Sequence, residues 1–125
     1  MMDKSETFIK MCEKATEIQE HFSKDLAVRY RPDNAGYLMD SNLNYLYRHK
    51  LGDTPIWLPR QDQLVEMFRG WVHDSTPRKL VKGLWDWIAT TAPPSDYSME
   101  QLWLCFLMYT RYEKKWNGEE WVYEE

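Results

Sequence analysis

The sequence predicts an α+β fold: an N-terminal helix, a small antiparallel sheet of two or three strands, and three C-terminal helices closed by an Asn-Gly turn. Three observations predict it. Apolar residues recur at helical spacing near the N-terminus and over residues 59–116, whereas residues 26–57 are β-prone and interrupted by turn formers. An Asn117-Gly118 pair between two tryptophans is a strong hairpin signal, because a two-residue turn needs positive φ at both central positions.

The N-terminal helix is expected over residues 3–24. Asp3 and Glu6 have the spacing of a capping box, with Asp in the cap position. One apolar stripe at helical spacing follows, made of Phe8, Cys12, Ala15, Ile18 and Phe22. The stripe must be buried, because a helix of this length is marginal in isolation.

The sheet is expected between residues 26 and 57. Leu26, Val28 and Tyr30 alternate with other residues as in a half-buried strand. Turn-forming residues separate the β-prone segments at 32–36, 40–42 and 52–55. A sheet this small is not stable alone, so helices are expected to cover one face.

Three helices are expected over residues 59–116. Pro59 and Pro77 each suit a first helical position, where the missing N–H costs nothing. Ser98 and Gln101 form a capping box for the last helix. The residues expected to face inward are Leu64, Met67, Phe68, Trp71 and Val72 in the first helix, Leu80, Val81, Leu84, Trp87 and Ile88 in the second, and Leu102, Cys105, Phe106, Tyr109, Tyr112 and Trp116 in the third.

Length and composition predict one globular domain, residues 1–125. No apolar run is long enough for a membrane span and the first residues lack an export signal, so a cytoplasmic protein is expected. Cys12 and Cys105 are then expected to be reduced; an interhelical disulfide is the alternative. The net charge of −4 argues against a general nucleic-acid binder, which usually has a basic stripe.

The tryptophans suggest a contact surface. An aromatic core explains most of the seven. However, Trp85 and Trp87 are two residues apart on one helix and cannot face the same core, and Trp103 lies off the stripe of Leu102 and Phe106. We therefore expect one or two of these rings at the rim or on the surface, and Trp85 and Trp103 are the candidates for protein binding or self-association.

Two charged clusters are candidate binding groups. Arg78, Lys79 and Lys82 crowd the first turns of a helix, where cations oppose the helix dipole. They are either solvated charges or an anion patch for phosphate, nucleic acid or an acidic protein surface. The whole net negative charge lies at the C-terminal end, in Glu119, Glu120, Glu124 and Glu125. These carboxylates either solubilise the protein or imitate a row of phosphates for a basic groove on a partner.

Catalytic motifs are absent from the sequence. His21, His49 and His73 show no metal-ligand spacing with the cysteines, and there is no nucleophile motif or Gly-rich phosphate loop. No catalytic, metal-binding or cofactor-binding residue is assigned, and no cofactor is expected. A small hydrolase or nuclease remains an alternative, which would need a polar cleft with clustered carboxylates or histidines.

Three parts of the chain are informative together. These are Met11-Cys12-Glu13-Lys14-Ala15 with Ile18-Gln19, then Trp57-Leu58-Pro59-Arg60-Gln61-Asp62-Gln63-Leu64, then Ser98-Met99-Glu100-Gln101-Leu102-Trp103 with Trp116-Asn117-Gly118-Glu119-Glu120-Trp121. They resemble small, functionally uncharacterised proteins encoded by phages and prophages of Gram-positive bacteria. The resemblance implies a phage or prophage origin and a cytoplasmic setting, and it transfers no catalytic residue.

The expected function is that of a non-enzymatic phage or prophage accessory protein that binds another macromolecule. The expected partner is a host or phage protein or a second copy of the chain, and no membrane is involved. The first alternative is a nucleic-acid-associated factor that uses Arg78, Lys79 and Lys82. The two differ in salt response, because phosphate contacts make affinity fall steeply with salt.

Overall fold

The computed structural model describes residues 3–21, 31–32, 37–39, 45–49, 55–69 and 76–123. The chain divides into two compact units. The N-terminal unit is Lys4–Pro59, and the C-terminal unit is Arg60–Glu125 together with Met1–Asp3. Both contain helices and antiparallel strands, so the predicted α+β class is confirmed. That residues 1–125 form one domain stays a prediction.

The N-terminal unit begins with two short helices, α1 (Glu6–Lys14) and α2 (Thr16–His21). The expected single helix from Asp3 is therefore wrong. Ser5 caps α1 instead, because its extended backbone lets its Oγ accept the Phe8 N–H at 3.2 Å. Ala15 interrupts the helix, with φ −85° and ψ 73°.

The predicted apolar stripe nevertheless forms the buried side of these helices. Phe8, Cys12, Ala15 and Ile18 are all fully buried. Phe22 and the rest of the expected helix to residue 24 lie outside the described residues. The helical period therefore identified the buried residues correctly even though it missed the interruption between them.

A four-stranded antiparallel sheet follows. Its strands are β1 (Arg31–Pro32), β2 (Tyr37–Met39), β3 (Tyr45–Tyr47) and β4 (Ile56–Leu58), in the order β1-β2-β3-β4. The expected two or three strands are thus too few. The strands are two or three residues long, shorter than an alternating pattern needs to be recognised. The strand expected over Leu26, Val28 and Tyr30 lies outside the described residues.

Gln19 joins the helices of this unit to the sheet. Its side-chain amide makes two hydrogen bonds with the backbone of Trp57 in β4: Oε1 accepts from N–H at 2.8 Å, and Nε2 donates to the carbonyl at 2.9 Å. Nε2 also donates to the Cys12 carbonyl at 3.2 Å. Because β4 is the last strand of the described sheet, Gln19 occupies backbone groups that a further strand would use.

The C-terminal unit contains α3 (Gln61–Arg69), α4 (Pro77–Thr91) and α5 (Met99–Tyr112), followed by β5 (Lys114–Trp116) and β6 (Trp121–Tyr123). The expected helix start at Pro59 is wrong by two residues. The first turn of α3 begins after Arg60, whose N–H donates to Gln63 Oε1 at 2.8 Å. The Arg60 guanidinium also hydrogen-bonds Asp62 at 3.0 Å, and this bond lowers the pKa of that carboxyl. Of the expected α3 stripe, Leu64, Met67 and Phe68 are buried, while Trp71 and Val72 lie outside the described residues.

Helix α4 begins as predicted, with Pro77 at its first position and Thr76 Oγ1 accepting the Lys79 N–H. Leu80 and Leu84 are buried. Val81 was expected to face inward and is wrong, because it is 58% exposed. It lies about 100° around the helix from Leu80, outside a buried face that is narrower than the sequence suggested.

Helix α5 has the predicted capping box. Ser98 Oγ accepts the Gln101 N–H and Gln101 Oε1 accepts the Ser98 N–H, each at 3.1 Å. Asp3, expected to cap the first helix, serves α5 instead: its Oδ2 accepts from Ser98 Oγ at 2.5 Å, and its N–H donates to Glu100 Oε1 at 3.3 Å.

The buried side of α5 differs from the expected stripe. Leu102, Phe106 and Tyr112 are only half-buried and Tyr109 is 43% exposed. The buried residues are Glu100, Gln101, Trp103, Leu104, Cys105, Leu107 and Met108. The physical reason is that residues 102–109 are all apolar, so the sequence carries no period from which a face can be chosen.

Phe106 on α5 lies within an aromatic cluster and against the backbone of α4. Its ring centroid is 5.2 Å from Phe68, 5.9 Å from Trp87 and 6.2 Å from Trp103. A Cβ at Gly83 would be 3.2 Å from Phe106 Cζ. The absence of a side chain at Gly83 therefore lets α4 and α5 approach closely at this point.

The C-terminal hairpin differs in detail from the expected two-residue turn. Trp116 pairs with Trp121, so residues 117–120 connect the strands. In this loop only Gly118 has positive φ, at 102°. Asn117 acts through its side chain, whose Oδ1 accepts the N–H groups of Glu119 and Glu120 at 2.8 Å each. The Asx-type turn stabilises the loop without a left-handed Asn.

We predict that Gln19→Ala lowers the free energy of unfolding by about 2–3 kcal/mol, because it leaves partly buried backbone groups of Trp57 and Cys12 without these bonds. Urea unfolding measures the change. Gln61→Ala at an exposed position is the matched control and should change it by less than about 0.5 kcal/mol. Equal effects of the two substitutions would contradict the role given to Gln19.

We also predict that Gly83→Ala is destabilising by about 1 kcal/mol, although Ala is about 1 kcal/mol better than Gly in a helix. The added methyl group meets a Phe106 ring that its aromatic neighbours hold in place. Thermal unfolding of Gly83→Ala, alone and with Phe106→Leu, measures this; the smaller side chain should recover stability. The control is Ala89→Gly at an exposed position of α4, which should show the ordinary loss of helix stability, about 1 kcal/mol. A more stable Gly83→Ala would show that Phe106 is free to move.

Candidate functional site

One side of α4 carries both apolar and cationic groups at the surface. Trp85 is 70% exposed, and Val81, one turn earlier, is 58% exposed. Arg78 and Lys82 are also exposed, and they precede Trp85 by seven and three residues. At these spacings all four residues share one side of the helix. We call these four residues the α4 outer face. Lys79 is exposed at its border.

The structure brings together two groups that the sequence analysis treated separately, the surface tryptophan and the cationic cluster. Trp85 was expected at the surface, and it is there; the cations Arg78, Lys79 and Lys82 surround its side of the helix. Residues 76–85 contain no Asp or Glu. The opposite side of α4 is buried through Leu80 and Leu84, which is why these residues remain outside.

Trp103 is not part of a surface, and the expectation that it is exposed is wrong. It is 2% exposed, and its ring lies 6.0 Å from Phe68 in an edge-to-face arrangement. The physical reason is the same as for α5 as a whole: its apolar residues extend all round, and the side chosen as inward was not the more deeply buried one.

The structure describes two of the four acidic candidate residues. Glu119 and Glu120 are exposed in the loop of the hairpin, where Asn117 holds their backbone N–H groups. Glu124 and Glu125 lie outside the described residues. The structure therefore places two adjacent carboxylates on an ordered loop at the surface.

A second site, which the sequence did not indicate, is a cleft of about 470 Å³ in the C-terminal unit. Its lining comes from the end of α4, the segment before α5, α5 itself and β5. The lining residues are Trp87, Thr90, Thr91, Ala92, Pro93, Pro94, Tyr97, Cys105, Tyr109, Lys114, Lys115 and Trp116. We call it the α4–α5 cleft. Its residues span 30 positions of the chain, so only the folded arrangement brings them together.

The side chains that line this cleft include no reactive thiol, carboxylate or imidazole. Cys105 is 7% exposed, and burial raises the pKa of its thiol from 9.0 to about 12. Burial also raises the pKa of Tyr97, with Cys105 and Asp96 adding to the shift. A thiol with such a pKa is protonated at neutral pH and is a poor nucleophile. Among the lining residues none is Asp, Glu or His, so this cleft lacks the acid–base groups of the hydrolase alternative.

The remaining chemistry-bearing side chains do not converge. Cys12 and Cys105 are buried free thiols. His49 Nε2 lies 2.9 Å from Glu13 Oε2 at the surface. Over the described parts of the chain, no three His, Cys, Asp or Glu side chains are grouped as a metal ion would require.

No protein-family model, curated protein or solved structure matches this chain. Among the helices in the described ranges, none has the length and apolar character needed to cross a membrane. The fold and the site define an α+β chain whose C-terminal unit presents a mixed apolar and cationic helix face together with an aromatic cleft.

We predict a stability loss at alkaline pH that depends on Cys105. Below pH 9.0 the folded and unfolded thiols are both protonated; between pH 9.0 and about 12 only the unfolded chain ionises, so the free energy of unfolding falls. Urea unfolding of wild type and Cys105→Ala, measured below pH 9.0 and between pH 9.0 and about 12, gives the size of the effect. The variant should lose less stability than wild type, and Thr110→Ala, a change at an exposed position of the same helix, is the control. Equal losses in wild type and Cys105→Ala would contradict it.

Proposed function

We propose that this chain is a non-enzymatic phage or prophage accessory protein of Gram-positive hosts that acts by binding an acidic surface of another protein. The α4 outer face is the binding surface in this proposal. The single observation that carries it is the exposure of Trp85 and Val81 beside three cations on one ordered helix.

The apolar part of the face supports protein binding. Trp85 has 70% of its surface in water, and tryptophan is enriched among residues that dominate binding energy. Val81 extends the apolar area by one helical turn. Such a pair suits a shallow apolar contact on a partner protein, with the indole as its central anchor.

The charge around the face supports an acidic partner. Arg78, Lys79 and Lys82 are exposed, and they outnumber the one exposed carboxylate nearby in α4, Asp86, which lies four residues after Lys82. Cations at the rim of an interface accelerate association with an acidic surface and orient the partner. The acidic loop of a second copy, with Glu119 and Glu120, is one surface of this kind, so self-association is one outcome of the test.

The same cations favour one alternative, a nucleic-acid-associated factor. A single helix with three cations gives few phosphate contacts, and the chain as a whole has a net charge of −4. The apolar centre of the α4 outer face has no role in phosphate binding. Salt dependence separates the two functions, because phosphate contacts release counterions and apolar contacts do not.

The phage or prophage origin and the cytoplasmic setting are proposed from the sequence resemblance. Residues of two resembling segments, Gln19 and Trp57, hydrogen-bond each other, and Ser98 and Gln101 of a third form a capping box. These contacts give the resembling segments structural roles in this chain. We propose that the three C-terminal helices, closed by the Asn117-Gly118 turn, are the scaffold that presents the α4 outer face.

An affinity pull-down from a nuclease-treated Gram-positive host lysate, at low and moderate salt, tests the proposal. We predict capture of an acidic protein by wild type and at least about tenfold weaker capture by Trp85→Ala, since a tryptophan anchor contributes about 2 kcal/mol or more. Lys82→Glu should also weaken capture, and mostly at low salt.

The control variant is Tyr123→Ala, which removes an equally exposed aromatic ring from β6. Capture that survives Trp85→Ala and Lys82→Glu would contradict the proposed surface. Loss of capture after nuclease treatment would favour the nucleic-acid alternative. Charge reversal of the four C-terminal glutamates, combined with light scattering, identifies self-association through that end.

A further inference from the structure

We propose that the α4–α5 cleft is a binding site for a small planar aromatic carboxylate. This site is distinct from the α4 outer face, and the inference does not depend on the proposed function. The cleft combines aromatic walls, rigid boundaries and a positive rim within one unit of the chain.

The walls are aromatic and come from four segments. Trp87 lies on α4, Tyr97 precedes α5, Tyr109 lies on α5 and Trp116 lies on β5. Trp87, Tyr97 and Trp116 are half-buried, and Tyr109 is 43% exposed, so each ring keeps part of its surface open. Aromatic faces that surround a common space favour a flat ring, which can stack or meet them edge to face.

Each of the two tryptophans in the cleft wall packs against another aromatic ring. The ring of Trp87 lies 5.9 Å from Phe106, and that of Trp116 lies 5.2 Å from Trp121. The backbone boundary is also constrained, because Pro93 and Pro94 have fixed φ and follow Ala92 at φ 50°. A ligand therefore meets walls that are already in place, which reduces the ordering cost of binding.

The charge of the lining selects an anion. Lys114 and Lys115 are the charged residues that line the cleft, and no acidic residue lines it. The Lys114 ammonium lies 4.8 Å from the centre of the ring of Tyr123, a residue next to the cleft lining rather than in it, so the tests below use Lys115. The floor at Cys105 is an uncharged thiol. A carboxylate at the lysine end and an apolar ring over the floor match this distribution.

The size of the cleft fits one such molecule. Its volume of about 470 Å³ lies within the roughly 300–1,000 Å³ of small-molecule sites. Pockets of this kind are lined mainly by apolar and aromatic side chains with a few polar groups that orient the ligand. The lining residues that carry such groups here are Thr90, Thr91, Tyr97 and Tyr109.

Titration of the full ¹⁵N-labelled chain with 1-naphthoate tests the proposal by NMR. We predict saturable shifts of the indole N–H signals of Trp87 and Trp116, with the signal of Trp85 unchanged. Binding by the neutral 1-naphthamide should be at least about threefold weaker, because it lacks the charge attracted by the lysines. Cyclohexanecarboxylate should also bind more weakly, because it is not planar.

Two variants and their matched controls locate the site. Lys115→Gln and Tyr109→Ala should each weaken 1-naphthoate binding at least about threefold. Lys82→Gln and Thr110→Ala remove comparable exposed groups elsewhere and should not change it. Trp85→Ala should also leave it unchanged, which separates this site from the α4 outer face.

Three results would overturn the proposal. The first is the absence of a saturable shift at millimolar 1-naphthoate. The second is equal affinity for the acid and the amide, which removes the role of the lysines. The third is an equal effect of the cleft variants and their controls, which places the ligand elsewhere on the surface.

Discussion

The contact of Phe106 with the backbone of α4 at Gly83 is the constraint on which the C-terminal unit depends. The ring contacts Phe68 of α3 and Trp87 of α4, so a single side chain of α5 sets the spacing of both neighbouring helices. Interiors pack at crystal-like density, so a methyl group at Gly83 would require the Phe106 ring to move. Both candidate sites in this unit depend on which side of α4 packs against α3 and α5.

Once Leu80 and Leu84 of α4 are buried, helical geometry decides the remaining positions. Trp85 and Val81 lie on the far side, where they meet solvent beside the cations. Trp87, two residues beyond Trp85, turns toward α5 and becomes a wall of the cleft. A single packed helix thus presents a convex face for a macromolecule and one side of a concave site for a small molecule.

Polar side chains connect segments that are distant in sequence. Gln19 bonds the backbone of β4 as a neighbouring strand would, and Asp3 supports the capping box of α5 at Ser98. Asp3 illustrates how a contact distant in sequence can override a local capping motif. The spacing of Asp3 and Glu6 satisfies a capping motif, yet Ser5 takes that role because a hydrogen bond to Ser98 holds Asp3 instead.

The sequence by itself determined the α+β class, the start of α4, the capping box of α5 and the buried stripe of α1 and α2, because caps, prolines and helical periods act over a few residues. It named Trp85 and Trp103 as surface candidates, of which Trp85 is exposed. Only the tertiary structure decided that Trp103 is buried, since the unbroken apolar run of α5 leaves the face of that helix open. It also decided that Val81 is exposed, because the buried face of α4 is narrow and centred on Leu80 and Leu84. The aromatic cleft was likewise decided there, because its residues become neighbours only when α4, α5 and β5 pack together.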